Sequence, residues 1–115
     1  MSPVPHEMTP VELQEALQRH SIVLVDVREP DEYRDERIPG ALLFPLSSFD
    51  PAALPVGGGR EVVLHCGIGK RSALALARCA AAGVAVTAHL QGGLAAWKQA
   101  ALPTLSGAAA PAAHP

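Results

Sequence analysis

Glu61-Val62-Val63-Leu64-His65-Cys66-Gly67-Ile68-Gly69-Lys70-Arg71-Ser72 is the stretch that decides the fold. A run of aliphatic residues ends at a turn with two glycines within three residues. An Ala/Leu-rich segment from Arg71 to Ala82 follows, closed by Gly83. That order reads as strand, turn, helix. Upstream, Ile22-Val23-Leu24-Val25-Asp26-Val27 is a second continuous apolar run. Without polar alternation it suits a strand covered on both faces, as in a parallel sheet.

The pattern extends to both sides. Thr9-Pro10-Val11-Glu12 fits a capping box, with Pro10 at the first helical position and Leu13, Ala16 and Leu17 forming an apolar stripe to about His20. Pro30 to Arg37 is charged and helix-forming, and Pro39-Gly40 stops it. Ala41 to Leu46 reads as a short strand interrupted by Pro45, and Ser47 to Leu54 as one or two helical turns. Val84 to Leu90 reads as another strand, Gln91-Gly92-Gly93 as a turn and Leu94 to Ala101 as a last helix. Strands alternating with helices predict an α/β fold with a mainly parallel central sheet and helices on both faces. Residues 1–8 are expected to be a flexible lead-in, 9–103 the folded domain and 104–115 a disordered Ala/Pro-rich tail.

The chain has 115 residues, 49% hydrophobic and 17% charged, enough apolar material for one core and too little length for two domains. Aromatic residues make up 3%, so stacking platforms for bases are nearly absent, and a net charge of −2 argues against a polyanionic partner. No nucleic acid or membrane partner is expected. The charge is uneven. Residues 1–61 hold all eleven acids, whereas residues 62–115 hold Lys70, Arg71, Arg78, Lys98 and no acid. An anionic ligand belongs on the second half. Two cysteines make no disulfide framework, and the N-terminus lacks the pattern of a signal peptide, so a reducing, cytoplasmic setting is expected.

Cys66 stands where the third strand ends, the edge of an α/β sheet at which ligands gather. The Gly67-Ile68-Gly69 turn lets backbone N–H groups converge, and the following helix adds the positive end of its dipole. A free thiol titrates near 8.5, and such surroundings bring it into roughly the 3.5–7.5 range. Lys70 and Arg71 are expected to add positive charge beside the sulfur. The alternative is a buried cysteine in an ordinary strand-to-helix turn. Cys79, mid-helix among Ala and Leu, reads as core, and Trp97 as a buried helix-face residue. His65 reads as a strand-end residue packed beneath the loop, with general base as the alternative. Asp26 and Arg28 read as a structural charge network with Glu32 or Asp35. His20 and His89 have no ligating residue at metal spacing, so no metal is expected.

Several motifs in order resemble the single-domain rhodaneses, a family of sulfurtransferases, over residues 9–103. They are Asp26-Val27-Arg28-Glu29-Pro30-Asp31-Glu32-Tyr33, then Ile38-Pro39-Gly40-Ala41, then Cys66 to Ser72 as C-x-x-G-x-R-S, then Gln91-Gly92-Gly93 with Trp97. Glu36-Arg37 departs from the Gly-His frequent before Ile-Pro-Gly in that family. The resemblance implies that Cys66 takes sulfur from an anionic donor such as thiosulfate as a persulfide. It then passes the sulfur to cyanide, a small thiol or a protein thiol. Gly67, Ile68, Gly69, Lys70, Arg71 and Ser72 would bind the donor through backbone N–H groups and charge, with no cofactor, in a monomer. Three alternatives remain: a persulfide carrier between proteins, a cysteine phosphatase or arsenate reductase, and a non-catalytic binding module. The phosphatase loop places Arg six positions after Cys, where this chain has Ser72.

Overall fold

A computed structural model describes residues 6–107. In chain order the elements are β1 (His6–Met8), α1 (Pro10–Gln18), β2 (Ile22–Asp26), α2 (Pro30–Asp35), β3 (Glu36–Arg37), β4 (Leu42–Leu43), β5 (Glu61–His65), α3 (Lys70–Ala81), β6 (Ala88–Leu90), α4 (Gly93–Gln99) and β7 (Leu105–Ser106). Single 3-10 turns at Leu46–Ser48 and Pro51–Ala53 stand where one or two helical turns were expected.

Five strands form one parallel sheet in the order β1-β6-β5-β2-β4. The continuous apolar runs of β2 and β5 lie side by side at its centre, in register from Ile22 opposite Glu61 to Asp26 opposite His65. The chain moves outward from β2 to β4, then crosses back to β5. The switch point of the topology therefore falls between β2 and β5, directly beside Cys66.

Alternation along each strand divides the core into two layers. Ile22, Leu24, Val63, Ala88 and Leu90 face α1 and α4, where Leu13, Ala16, Leu94 and Trp97 complete one cluster. Val25, Val27, Val62, Leu64 and Cys66 face α3, with Ala75, Leu76 and Cys79. Helices thus cover both faces, as the apolar runs require. The Thr9 capping box is present, with Glu12 N–H to Thr9 Oγ1 at 3.1 Å and Thr9 N–H to Glu12 Oε1 at 2.9 Å.

Both ends of the domain differ from expectation. His6–Met8 was read as lead-in, yet it pairs in parallel with Ala88–Leu90, because the otherwise bare edge of β6 offers backbone partners to any extended neighbour. Leu105–Ser106, placed in the tail, pairs antiparallel with β3. Glu36 holds that segment down by accepting from the Thr104 hydroxyl at 2.9 Å and from Lys98 Nζ at 2.8 Å. The remainder of the expected lead-in and tail, residues 1–5 and 108–115, lies outside the described residues. The strand expected over Val84–Leu90 contracts to its last three residues, and helix α2 stops at Asp35, before Arg37. No helix among the described residues is long and apolar enough to cross a membrane.

Candidate active site

Cys66 leaves the carboxyl end of β5 and is 1% exposed. Ser72 and the α3 layer enclose the sulfur. Only the lip of the loop is open: Ile68 is 63% exposed and Lys70 is exposed beside it. Gly69 turns the chain into α3 with φ of +108°, a left-handed conformation that side chains with a Cβ rarely adopt.

That turn aims donors at the sulfur. Gly69 N–H lies 3.1 Å and Ser72 N–H 3.3 Å from Cys66 Sγ, while the thiol itself donates to Ser72 Oγ at 3.6 Å. Burial is the largest single influence on this thiol and pushes it up. The Ser72 hydroxyl and the N–H groups of Ser72, Gly69 and Ile68 together outweigh burial and hold it below its ordinary value. Backbone amides and a hydroxyl therefore carry the role that the sequence assigned partly to cations.

Arg71 does act on Cys66 through its charge, as expected, but its guanidinium is already paired. Arg71 makes a two-pronged ion pair with Glu32 of α2, Nη1 to Oε1 at 2.7 Å and Nη2 to Oε2 at 3.0 Å. This pair holds the Glu32 carboxyl down to about 2. Glu32, read as a partner of Asp26 and Arg28, instead ties α2 to the start of α3. Lys70 remains exposed to solvent.

The loop carbonyls are also held. Leu94 N–H donates to Cys66 O at 2.8 Å and Ala95 N–H to Gly67 O at 3.0 Å, so the first turn of α4 grips the loop from behind. The approach is close enough to demand glycine: a Cβ on Gly93 would sit 2.5 Å from Cys66 O, and its φ is +61°. Gly67 thus contributes its carbonyl to α4, and the amides that reach the sulfur come from further along the loop.

Beneath the loop lies a buried polar floor. Arg28 pairs with Asp26, Nη2 to Oδ2 at 2.8 Å, and donates to Glu36 O at 2.6 Å. Burial raises the Asp26 carboxyl, but the His65 imidazole 3.4 Å away and the Arg28 guanidinium bring it to about 2. His65 accordingly packs below, with Nδ1 3.2 Å from Cys66 O and Nε2 3.4 Å from Asp26 Oδ2. Cys79 is wholly buried in the α3 layer and Trp97 in the α4 layer, as their surroundings in the sequence suggest. No group of three His, Cys, Asp or Glu side chains among the described residues is arranged to hold a metal ion.

Fold and loop together define an α/β protein with an amide-cradled cysteine at the switch point of a parallel sheet. A rhodanese-like domain model matches residues 9–100, and the chain belongs to that family. An uncharacterised protein of Synechocystis is 45% identical over 104 residues, covering 90% of this chain and 58% of its own length. A probable adenylyltransferase/sulfurtransferase of Mycobacterium tuberculosis, MoeZ, is 42% identical over 95 residues, covering 78% of this chain and 24% of the relative. The chain thus spans only part of these curated relatives. Among solved structures, the thiosulfate sulfurtransferase of Pseudomonas aeruginosa superposes with a TM-score of 0.76 at 28% identity, over 93% of this chain and 20% of that one.

His89 and Gly93 escaped the sequence reading as site residues. His89 was judged only as a metal ligand, and Gly93 as a turn residue within the closing motif. The doubled glycine was a usable signal, since a turn needs one such residue and a close backbone contact accounts for the second.

Proposed function

We propose that this protein is a sulfurtransferase that carries sulfane sulfur as a persulfide on Cys66. The observation that carries the reading is the pair of backbone N–H groups, from Gly69 and Ser72, on the Cys66 sulfur. Such donors stabilise a thiolate without adding a competing nucleophile or base. Membership of the rhodanese-like family and the sulfurtransferases among the relatives support the same chemistry.

In the first half-reaction the Cys66 thiolate attacks the outer sulfur of thiosulfate. An Sγ–S bond forms, the S–S bond of the donor breaks, and the electron pair leaves with sulfite. In the second, cyanide or a thiolate attacks the terminal sulfur, and the Cys66 thiolate is released. Two half-reactions sharing a covalent intermediate give ping-pong kinetics. Lys70, exposed at the lip, attracts the dianionic donor, and Arg71, clasped by Glu32, adds its charge near the sulfur. That clasp also disfavours a phosphatase reading, which would need the guanidinium directed into the cup. Exposed Ile68 favours a protein thiol as acceptor alongside small ones.

Intact mass before and after thiosulfate, and again after cyanide, tests the reading. The expected result is a gain of about 32 Da, one sulfur, that cyanide removes and Cys66→Ser never shows. Absence of any adduct with thiosulfate, mercaptopyruvate or a protein persulfide overturns it.

A further inference from the structure

Cys66 must lose its proton before it can attack, and the amides around the thiolate cannot accept one. A line of polar atoms leads away from the sulfur toward the β1 edge of the sheet. Ser72 Oγ is 3.6 Å from Cys66 Sγ, His89 Nδ1 is 2.8 Å from Ser72 Oγ, and Glu7 Oε2 is 3.4 Å from His89 Nε2. Ser72 and His89 are 0% and 5% exposed. Strand alternation turns Ala88 and Leu90 into the α1/α4 layer and His89 to the opposite face, beside its register partners Leu64 and Glu7. A buried imidazole there satisfies no packing need that an aliphatic residue would not serve better.

We infer that His89 is a positioning residue that takes the Cys66 proton through the Ser72 hydroxyl, with Glu7 facing the resulting imidazolium. This rests on Cys66 being the reacting sulfur. In the thiol state the S–H donates to Ser72 Oγ, and the Ser72 hydrogen is directed at the Nδ1 lone pair. Gly69 O, at 3.2 Å, is the more distant competitor for that hydrogen. Nε2–H then points at the Glu7 carboxylate. Moving each proton one step transfers the thiol hydrogen to Ser72 Oγ and the hydroxyl hydrogen to Nδ1. Afterwards the hydroxyl donates to the thiolate and Nδ1–H donates to the hydroxyl oxygen. One proton has left sulfur and reached the imidazole, and total charge is unchanged. The depressed Cys66 thiol, to which the Ser72 hydroxyl contributes, agrees with this direction.

The ionisable groups facing His89 are Glu7 from β1 and Cys66 from the loop after β5. Helix α3 presents the neutral Ser72, and β5 presents Leu64. Arg71 is engaged by Glu32, Lys70 and Arg78 are exposed, and Asp26 and His65 belong to the floor on the other side of the sheet.

The test is the pH dependence of Cys66 alkylation by iodoacetamide on the full chain, with the modified site mapped by peptide mass. His89→Asn retains a hydrogen-bond partner for Ser72 and removes the imidazole. Its midpoint should rise by about one pH unit, making alkylation roughly tenfold slower at pH 7 but within about twofold of the parent at pH 10. Glu7→Gln, on an exposed strand edge, should shift it the same way with a roughly threefold slower rate at pH 7. An unmoved midpoint in His89→Asn, or an equal slowing at every pH, overturns the inference. If that variant does not fold, an unmoved midpoint in Glu7→Gln does the same. Alkylation involves no sulfur donor, so a missing thiosulfate adduct would sink the sulfurtransferase reading separately.

Discussion

Cys66 and Cys79 lie in the same apolar layer, both buried against the α3 side of the sheet, yet their thiols are driven in opposite directions. Burial alone acts on Cys79 and pushes its thiol up. At Cys66 burial is equally present as the largest influence, but amides and a hydroxyl reverse its effect. The difference is positional. Cys79 sits in the last turn of α3, where the backbone N–H groups are spent within the helix, whereas Cys66 precedes a helix whose first N–H groups have no internal partner. Burial does not separate a reactive cysteine from an inert one here. The supply of uncommitted donors does.

The largest expected effect comes from deleting each sulfur in turn. Cys66→Ser should lower thiosulfate:cyanide turnover by at least about a thousandfold, while Cys79→Ala leaves it within about twofold. Comparable losses from both would mean that the second thiol takes part in transfer. Gly93→Ala comes next, because it attacks the Cys66 surroundings from behind. Its Cβ collides with Cys66 O, so turnover should fall by at least tenfold and stability by about 2–3 kcal/mol, read from urea melts. A neutral result would show that the grip of α4 on the loop is dispensable.

Ser72→Ala removes one of the donors that distinguish the two sulfurs and leaves the backbone N–H groups in place. The thiol should titrate higher, so alkylation of Cys66 at pH 7 slows several-fold and recovers as pH rises past the new midpoint. A pH-independent loss would point to altered packing instead. The smallest effect is the stability cost of Cys79→Ala, about 1–2 kcal/mol from a small cavity, with Cys79 in the parent protein labelled only after unfolding. Labelling of native Cys79 at the rate of Cys66 would erase the contrast.

Much of this was legible in the chain because it is local. The two buried strands, the Thr9 cap, the Gly69 turn and the cysteine at a strand end are each written within a few consecutive residues. The partners of the site are not. Glu32 meets Arg71 across 39 positions, and His89 meets Ser72 across 17. Such pairings depend on sheet order and on which face each strand residue takes, and neither spacing nor residue type reveals them. The same limit hid β1 and β7, whose few residues carry no periodicity and gain order only from the backbone of a distant neighbour. Charge counting was incomplete for a related reason. It located Arg71 correctly in the loop, where its charge acts on Cys66, but could not show that a carboxylate from α2 also claims it.

Trp97 gives the contact between α4 and the loop a practical use. It is the single tryptophan of the chain, 1% exposed, with its indole N–H donating to Pro103 O at 2.8 Å. It follows Leu94, whose N–H holds the Cys66 carbonyl, by three residues, about 4.5 Å along the helix axis. The protein therefore carries its own fluorophore on the far side of the joint that supports the sulfur. Sulfur loading and discharge that strain the joint can be followed in real time by tryptophan emission, with no label attached.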